Sequence, residues 1–155
     1  MLVALTPGAT VLALPPGEDA GDADLLWAGF ELAAHDGAPA DARRRVRRQL
    51  RRWSFPARLC DTAQLLVSEL VTNAVVHTDS ARVRCLLRAG GSRLRLEIHD
   101  EGSERSAPLP CWATPEDEHG RGLLLVDTLS DEWGVDCAAQ GRGRTVWVEL
   151  APAPT

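Results

Sequence analysis

No lysine and no tyrosine occur in the 155 residues, and isoleucine and asparagine occur once each, as Ile98 and Asn73. All 17 basic residues are therefore arginines. The missing types share AT-rich codons, so their scarcity points to a bacterial genome rich in G and C. Under that pressure a retained asparagine raises the question of where it sits. Positive charge is also short. A net charge of −5 and a pI near 5.3 argue against a surface built for phosphate backbones, so nucleic acid is not an expected partner. Close cysteine pairs are absent: Cys60, Cys85, Cys111 and Cys137 lie far apart. With no C-x-x-C and no clustered histidine they read as small buried hydrophobes in a reducing cytosol. No apolar run approaches the roughly 20 residues that span a bilayer, and the apolar stretch 1–16 lacks a basic flank. The chain reads as soluble and cytoplasmic. Its length suits one globular domain and excludes a multidomain enzyme.

What is present divides into three parts. Residues 1–26 carry Pro7-Gly8, Pro15-Pro16-Gly17 and an acidic stretch from Glu18 to Asp24, which reads as an extension with one short strand at 10–14 and a linker. Residues 27–151 have domain-like composition, and 152–155 form a tail. Within the domain, Trp27 to Ala33 reads as an edge strand. Ala40 to Trp53 reads as a helix with Val46 and Leu50 on its apolar side and seven arginines elsewhere, a solvated face or a docking surface for an acidic protein. Ala57 to His77 follows the i, i+3, i+4, i+7 pattern through Ala63, Leu66, Val67, Leu70, Val71 and Ala74. Two alternating strands follow, through Val83, Cys85 and Leu87 and then Leu94, Leu96 and Ile98, joined by a turn at Ala89 to Ser92. Residues 101–119 hold three prolines and no periodicity. A loop of that length in a compact domain is commonly a functional lid. A helix from Gly120 to Ser130 and strands near Glu132 to Cys137 and Arg144 to Leu150 complete the order.

Three pieces carry candidate chemistry. Glu69 and Asn73 lie four apart on the long helix, which stacks them on one face about 6 Å apart along the axis. That pairs a carboxylate able to take a proton with a neutral amide oxygen. One such oxygen suits Mg²⁺ when phosphates supply the remaining ligands. Asp100, at the end of the third strand, can accept a hydrogen bond from an exocyclic amine, and Gly102 lets backbone approach a flat ring. Gly120-Arg121-Gly122-Leu123 opens a helix, where exposed N–H groups and the helix dipole favour an anion. Each piece alone is weak, and neither a Walker-type G-x-x-x-x-G-K-[ST] nor a G-x-G-x-x-G after a strand is present.

Their order along the chain is more specific. Glu-Leu-Val-Thr-Asn-Ala-Val-Val-His at 69–77, Gly120 to Val126, and Gly143-Arg144-Thr145-Val146-Trp147 together resemble the GHKL superfamily of ATP-binding proteins. The likeness runs from about Trp27 to Leu150. It implies a Bergerat-type α/β two-layer sandwich, a mixed sheet with helices packed on one face and ATP held between the layers. It further implies Asn73 on Mg²⁺, Glu69 as base, Asp100 on the adenine amine and Gly102 beside it. Gly120, Arg121, Gly122 and Leu123 would lie around the phosphates, and Thr145 would support the adenine end. Glu104 stands where the first glycine motif has its second glycine. A chain of this size, with no phosphoacceptor hairpin before the ATP module and no transducer after it, resembles the anti-sigma-factor serine/threonine kinases. They are expected to bind a sigma factor and to phosphorylate a serine on an anti-sigma antagonist; a homodimer is left open. The alternatives are an ATP-gated binding module without phosphotransfer and a nucleic-acid-associated regulator using the arginine-rich helix.

Overall fold

A computed structural model describes residues 25–78, 80–91, 93–101, 120–137 and 143–151. The expected strand at 10–14, the tail 152–155 and nearly all of the expected lid, Gly102 and Glu104 included, lie outside the described residues. Eight elements follow in order: β1 (Leu26–Ala33), α1 (Ala38–Arg52), α2 (Ala57–His77), β2 (Arg82–Gly90), β3 (Arg93–Asp100), α3 (Gly120–Leu129), β4 (Glu132–Cys137) and β5 (Arg144–Leu150).

α1 begins two residues earlier than its periodicity suggests. Gly37 caps it and Pro39 occupies the first turn, where a missing N–H costs nothing. Ala38, Ala42, Val46 and Leu50 are buried at a spacing of four, while Arg43, Arg44, Arg47, Arg48, Arg51 and Arg52 are exposed. After a short connection, α2 lies against α1. The two are tied by the Arg43 guanidinium, which donates to Ser68 Oγ at 2.6 Å. By length and composition alone Ala57–Val76 would pass as a membrane span, with a mean hydropathy of 1.2. One apolar stripe of it is in the core, where Ala63, Leu66, Val67 and Val71 are fully buried, while Leu65 and Val76 are exposed.

The strand order is β1-β2-β3-β5-β4. Every described pairing is antiparallel, which corrects the expected mixed sheet. Two helices separate β1 from β2 and return the chain reversed. One helix separates β3 from β4, so those strands run the same way, as a crossover requires. They never pair, because β5 enters between them. Phe30, Leu32, Val83, Cys85, Leu87, Ala89, Leu94, Leu96, Ile98, Val148 and Leu150 form the sheet's share of the core, under the helices.

The opposite face of the sheet is polar. Glu97 accepts hydrogen bonds from Arg95 Nε at 2.7 Å and from His99 Nε2 at 3.1 Å. Arg95 also bonds Glu149 at 3.1 Å and lies 4.3 Å over the Trp147 ring. The hydrogen bond from His99, helped by Arg95, outweighs burial and holds the Glu97 carboxyl down at about 2, from an ordinary 4.5. Because the folded value is the lower one, this contribution is complete above about pH 4.5 and is lost as pH falls towards 2. Denaturant titrations at several pH values should therefore show Glu97→Gln less stable than the parent at pH 7, with the gap closing by pH 2. A gap independent of pH would contradict this account.

Candidate functional site

The site is organised by the place where α2 ends and β3 ends. Thr78 leaves the helix extended, and its hydroxyl bonds back to the Ala74 carbonyl. The Ser80 N–H donates to Thr78 Oγ1 at 3.3 Å, and buried Ser80 Oγ accepts from the Glu101 N–H at 2.8 Å. The helix carrying Glu69 and Asn73 is thus tied at its C-terminus to the residue after Asp100. Glu69 and Asn73 are both half-buried, beside the apolar stripe.

Asp100 continues the alternation Leu94, Leu96, Ile98 and so faces the helix layer, with only 3% of its side chain exposed. A carboxylate that deep needs a partner. It has one in Arg144, the residue opposite it in the ladder, whose Nε lies 3.1 Å from Oδ2 and whose side chain is 13% exposed. Gly143 precedes this arginine at φ +83°, and a Cβ there would stand 2.7 Å from the Asp100 carbonyl oxygen. The two strand ends therefore meet backbone to backbone.

The structure does not bring Thr145 to Asp100. Thr145 pairs with His99 in the ladder, and its Oγ1 lies 2.7 Å from His99 Nδ1 on the face away from the helices. Side chains alternate across a strand, so Thr145 and Arg144 cannot share a face. Arg144 is the residue that sequence reasoning missed. The signal was parity: Val148 and Leu150 are buried, which places even-numbered positions of β5 inward.

Gly120, Arg121, Gly122 and Leu123 form the first turn of α3, as expected, and α3 packs on α2. The Arg121 side chain and Gly102 lie outside what the structure describes. A cavity of about 320 Å³ opens at this end of the sheet, lined by Arg84, His99, Asp136 and Thr145 and bounded by Asp100 and Arg144. Most of its lining belongs to the face away from α2, so it is distinct from the space beside Glu69 and Asn73. Among the described residues no group of three or more His, Cys, Asp or Glu side chains could hold a metal ion.

A helix pair over an antiparallel sheet, with a buried acid ending β3 and a glycine turn opening α3, defines an ATPase-type two-layer sandwich. The family model of the histidine kinase-like ATPase domain matches residues 32–150, and the chain belongs to that family. Among solved structures it is similar to the RsbU and RsbW domains of Rv1364c from Mycobacterium tuberculosis, at 20% identity and a TM-score of 0.60. That match covers 81% of this chain and 32% of the other, so this chain spans about a third of that structure. No curated protein matches it.

Proposed function

We propose that this protein is a regulatory ATP-binding domain acting as an anti-sigma-factor serine/threonine kinase, which binds a sigma factor and phosphorylates a serine on an anti-sigma antagonist. The observation that carries the nucleotide part is buried Asp100, facing the helix layer at the end of β3. Its neighbour Glu101 is tied to the end of the helix that bears Glu69 and Asn73. The motif order and the family support the same assignment. In it Asp100 takes the adenine amine, with Gly102 beside the ring, and Gly120, Arg121, Gly122 and Leu123 surround the phosphates. Glu69 accepts the proton of the serine hydroxyl as its oxygen bonds to the γ-phosphorus and ADP leaves.

The residues present fit Mg²⁺ of one kind only. Asn73 offers a single neutral oxygen, and the described residues hold no acidic cage, so the cation is retained together with nucleotide phosphates. When bound it would neutralise phosphate charge. Mg-ATP should accordingly raise the melting temperature, since a ligand present at about 100 times its Kd stabilises the native state by roughly 2.7 kcal/mol. Mg²⁺ alone should leave it unchanged. No shift with Mg-ATP would sink the reading, and a full shift with Mg²⁺ alone would sink the metal assignment.

α1 favours a second reading, an ATP-gated docking module without phosphotransfer. Arg47, Arg48, Arg51 and Arg52 are exposed and form no ion pair among the described residues, a surface suited to an acidic partner protein. A complex that forms with ATP yet leaves the antagonist unlabelled by its γ-phosphate would favour this reading. Steeply salt-dependent DNA binding by α1 would instead favour the nucleic-acid regulator.

A further inference from the structure

The face of the sheet turned away from the helices carries a second site. The register lines up Glu31, Arg84, His99, Thr145 and Asp136 as one row across all five strands. The cavity of about 320 Å³ opens along that row, at the lower end of the range for small-molecule pockets, roughly 300–1,000 Å³. Much of the charge around it is already paired. Glu31 accepts a hydrogen bond from Arg82 at 2.9 Å, and Asp100 is held with Arg144. Arg84 differs: its guanidinium makes no ion pair or hydrogen bond with any described residue, and its Nε is shut off from solvent without a partner. A buried donor left unmade is a standing cost, and a charged one in a native fold calls for an explanation. Arg84 thus brings unspent N–H donors to one part of the cavity.

Two strands away the same row turns to acceptors. His99 Nε2 donates to Glu97 at 3.1 Å, so Nδ1 of the neutral ring takes the hydrogen of Thr145 Oγ1, 2.7 Å away. With its proton spent, the Thr145 hydroxyl has only lone pairs left. Opposite it on β4, exposed Asp136 forms no ion pair among the described residues. Donor and acceptors are separated by two to three strand spacings, about 10–15 Å between Cα atoms. We infer that this cavity binds a small, extended zwitterion, a short peptide or an ω-amino acid, with its carboxylate on the Arg84 guanidinium and its ammonium on Thr145 Oγ1 and Asp136. The planar fork of arginine suits a carboxylate. A phosphate is a poor complement, because unpaired Glu101 and Asp136 also line the cavity and would repel a dianion that gains only one free arginine. The site lies on the face away from Glu69 and Asn73, so it stands or falls separately from the ATP assignment. The competing account is that Arg84 only offsets the acidic residues around it, which requires no ligand.

The test is calorimetric titration of the full chain at neutral pH with triglycine, triglycine amide, N-acetyltriglycine and 6-aminohexanoate. Wild type is expected to bind triglycine with a Kd of about 1 mM or below. The amide should bind roughly tenfold or more weaker, because a charged donor loses its charged acceptor. N-acetyltriglycine should lose about two- to fivefold, less than the amide because Asp136 is exposed. In Arg84→Met, which breaks no hydrogen bond among the described residues, acid and amide should bind within about twofold of each other. Asp136→Asn should shrink only the loss caused by acetylation. Should Arg84→Met not fold, Asp136→Asn and the wild-type ratios decide the matter. Triglycine and 6-aminohexanoate binding alike would support the site with ω-amino acids as its ligands, and triglycine alone would support it with a peptide. No binding of either by wild type, equal binding of acid and amide, or an acid preference that survives Arg84→Met would overturn the proposal.

Discussion

Gly143→Ala should lower the melting temperature and weaken ATP binding together. The glycine sits at φ +83°, a conformation that costs an L-residue about 1–2 kcal/mol. Its new Cβ would also stand 2.7 Å from the Asp100 carbonyl oxygen and 3.7 Å from Glu101 Cα. The obstructing atom is backbone, locked at the end of the β3–β5 ladder, so it cannot swing aside as a flexible side chain would. Overpacking of this kind adds roughly 1–3 kcal/mol. The sum, about 2–5 kcal/mol, corresponds to a drop of roughly 5–15 °C in a domain of this size. Relief requires the end of β3 to shift, and Asp100 with it. Gly91→Ala is the control. Gly91 also has positive φ, +56°, but nothing lies within 4 Å of its missing Cβ, so it should pay the backbone cost alone and leave ATP affinity intact. Equal effects at the two glycines, read by thermal denaturation and nucleotide titration, would show that the contact with Asp100 does not matter.

That contact also marks the limit of what the sequence discloses. The bounds of α2 and β5 follow from local pattern, because each buries residues at its own period and begins just after a breaker, Pro56 for α2 and Gly143 for β5. Strand order does not follow, since nothing local says that β5 inserts between β3 and β4; that depends on which edges are left open once the helices have covered one face. The face on which each residue of β5 lies was legible but easily misread. Trp147 is as apolar as Val146 and Val148, which blurs the alternation, and only charged Glu149 beside buried Leu150 resolves it. The motif drew attention to Thr145, whereas the pleat assigned the inward place to Arg144. Parity decides this, because a one-residue slip would have exposed Val148 and Leu150 and buried Glu149.

Glu69 and Asn73 remain the pair on which the proposed chemistry depends, and their substitutions should fail in different ways. Both are half-buried on α2 beside, not within, the stripe that packs on the sheet, so replacing either leaves the core contacts in place. Under the proposed reading Glu69→Ala removes the proton acceptor while leaving every nucleotide contact. Mg-ATP should bind with near-parental affinity, and transfer of the γ-phosphate, to the antagonist or more slowly to water, should fall by about 10²–10⁴-fold. Asn73→Ala removes the one protein oxygen assigned to the cation. Its signature is a loss of metal dependence, with ATP affinity measured with Mg²⁺ falling to the value measured with EDTA. The two readouts separate because a proton acceptor acts at the transition state and a metal ligand already acts in the bound ground state. If Glu69→Ala lost binding as well as turnover, the carboxylate would belong to the nucleotide or metal shell and not to the proton. If Asn73→Ala kept its Mg²⁺ dependence, the lone asparagine of this chain would be a helix residue spared by chance.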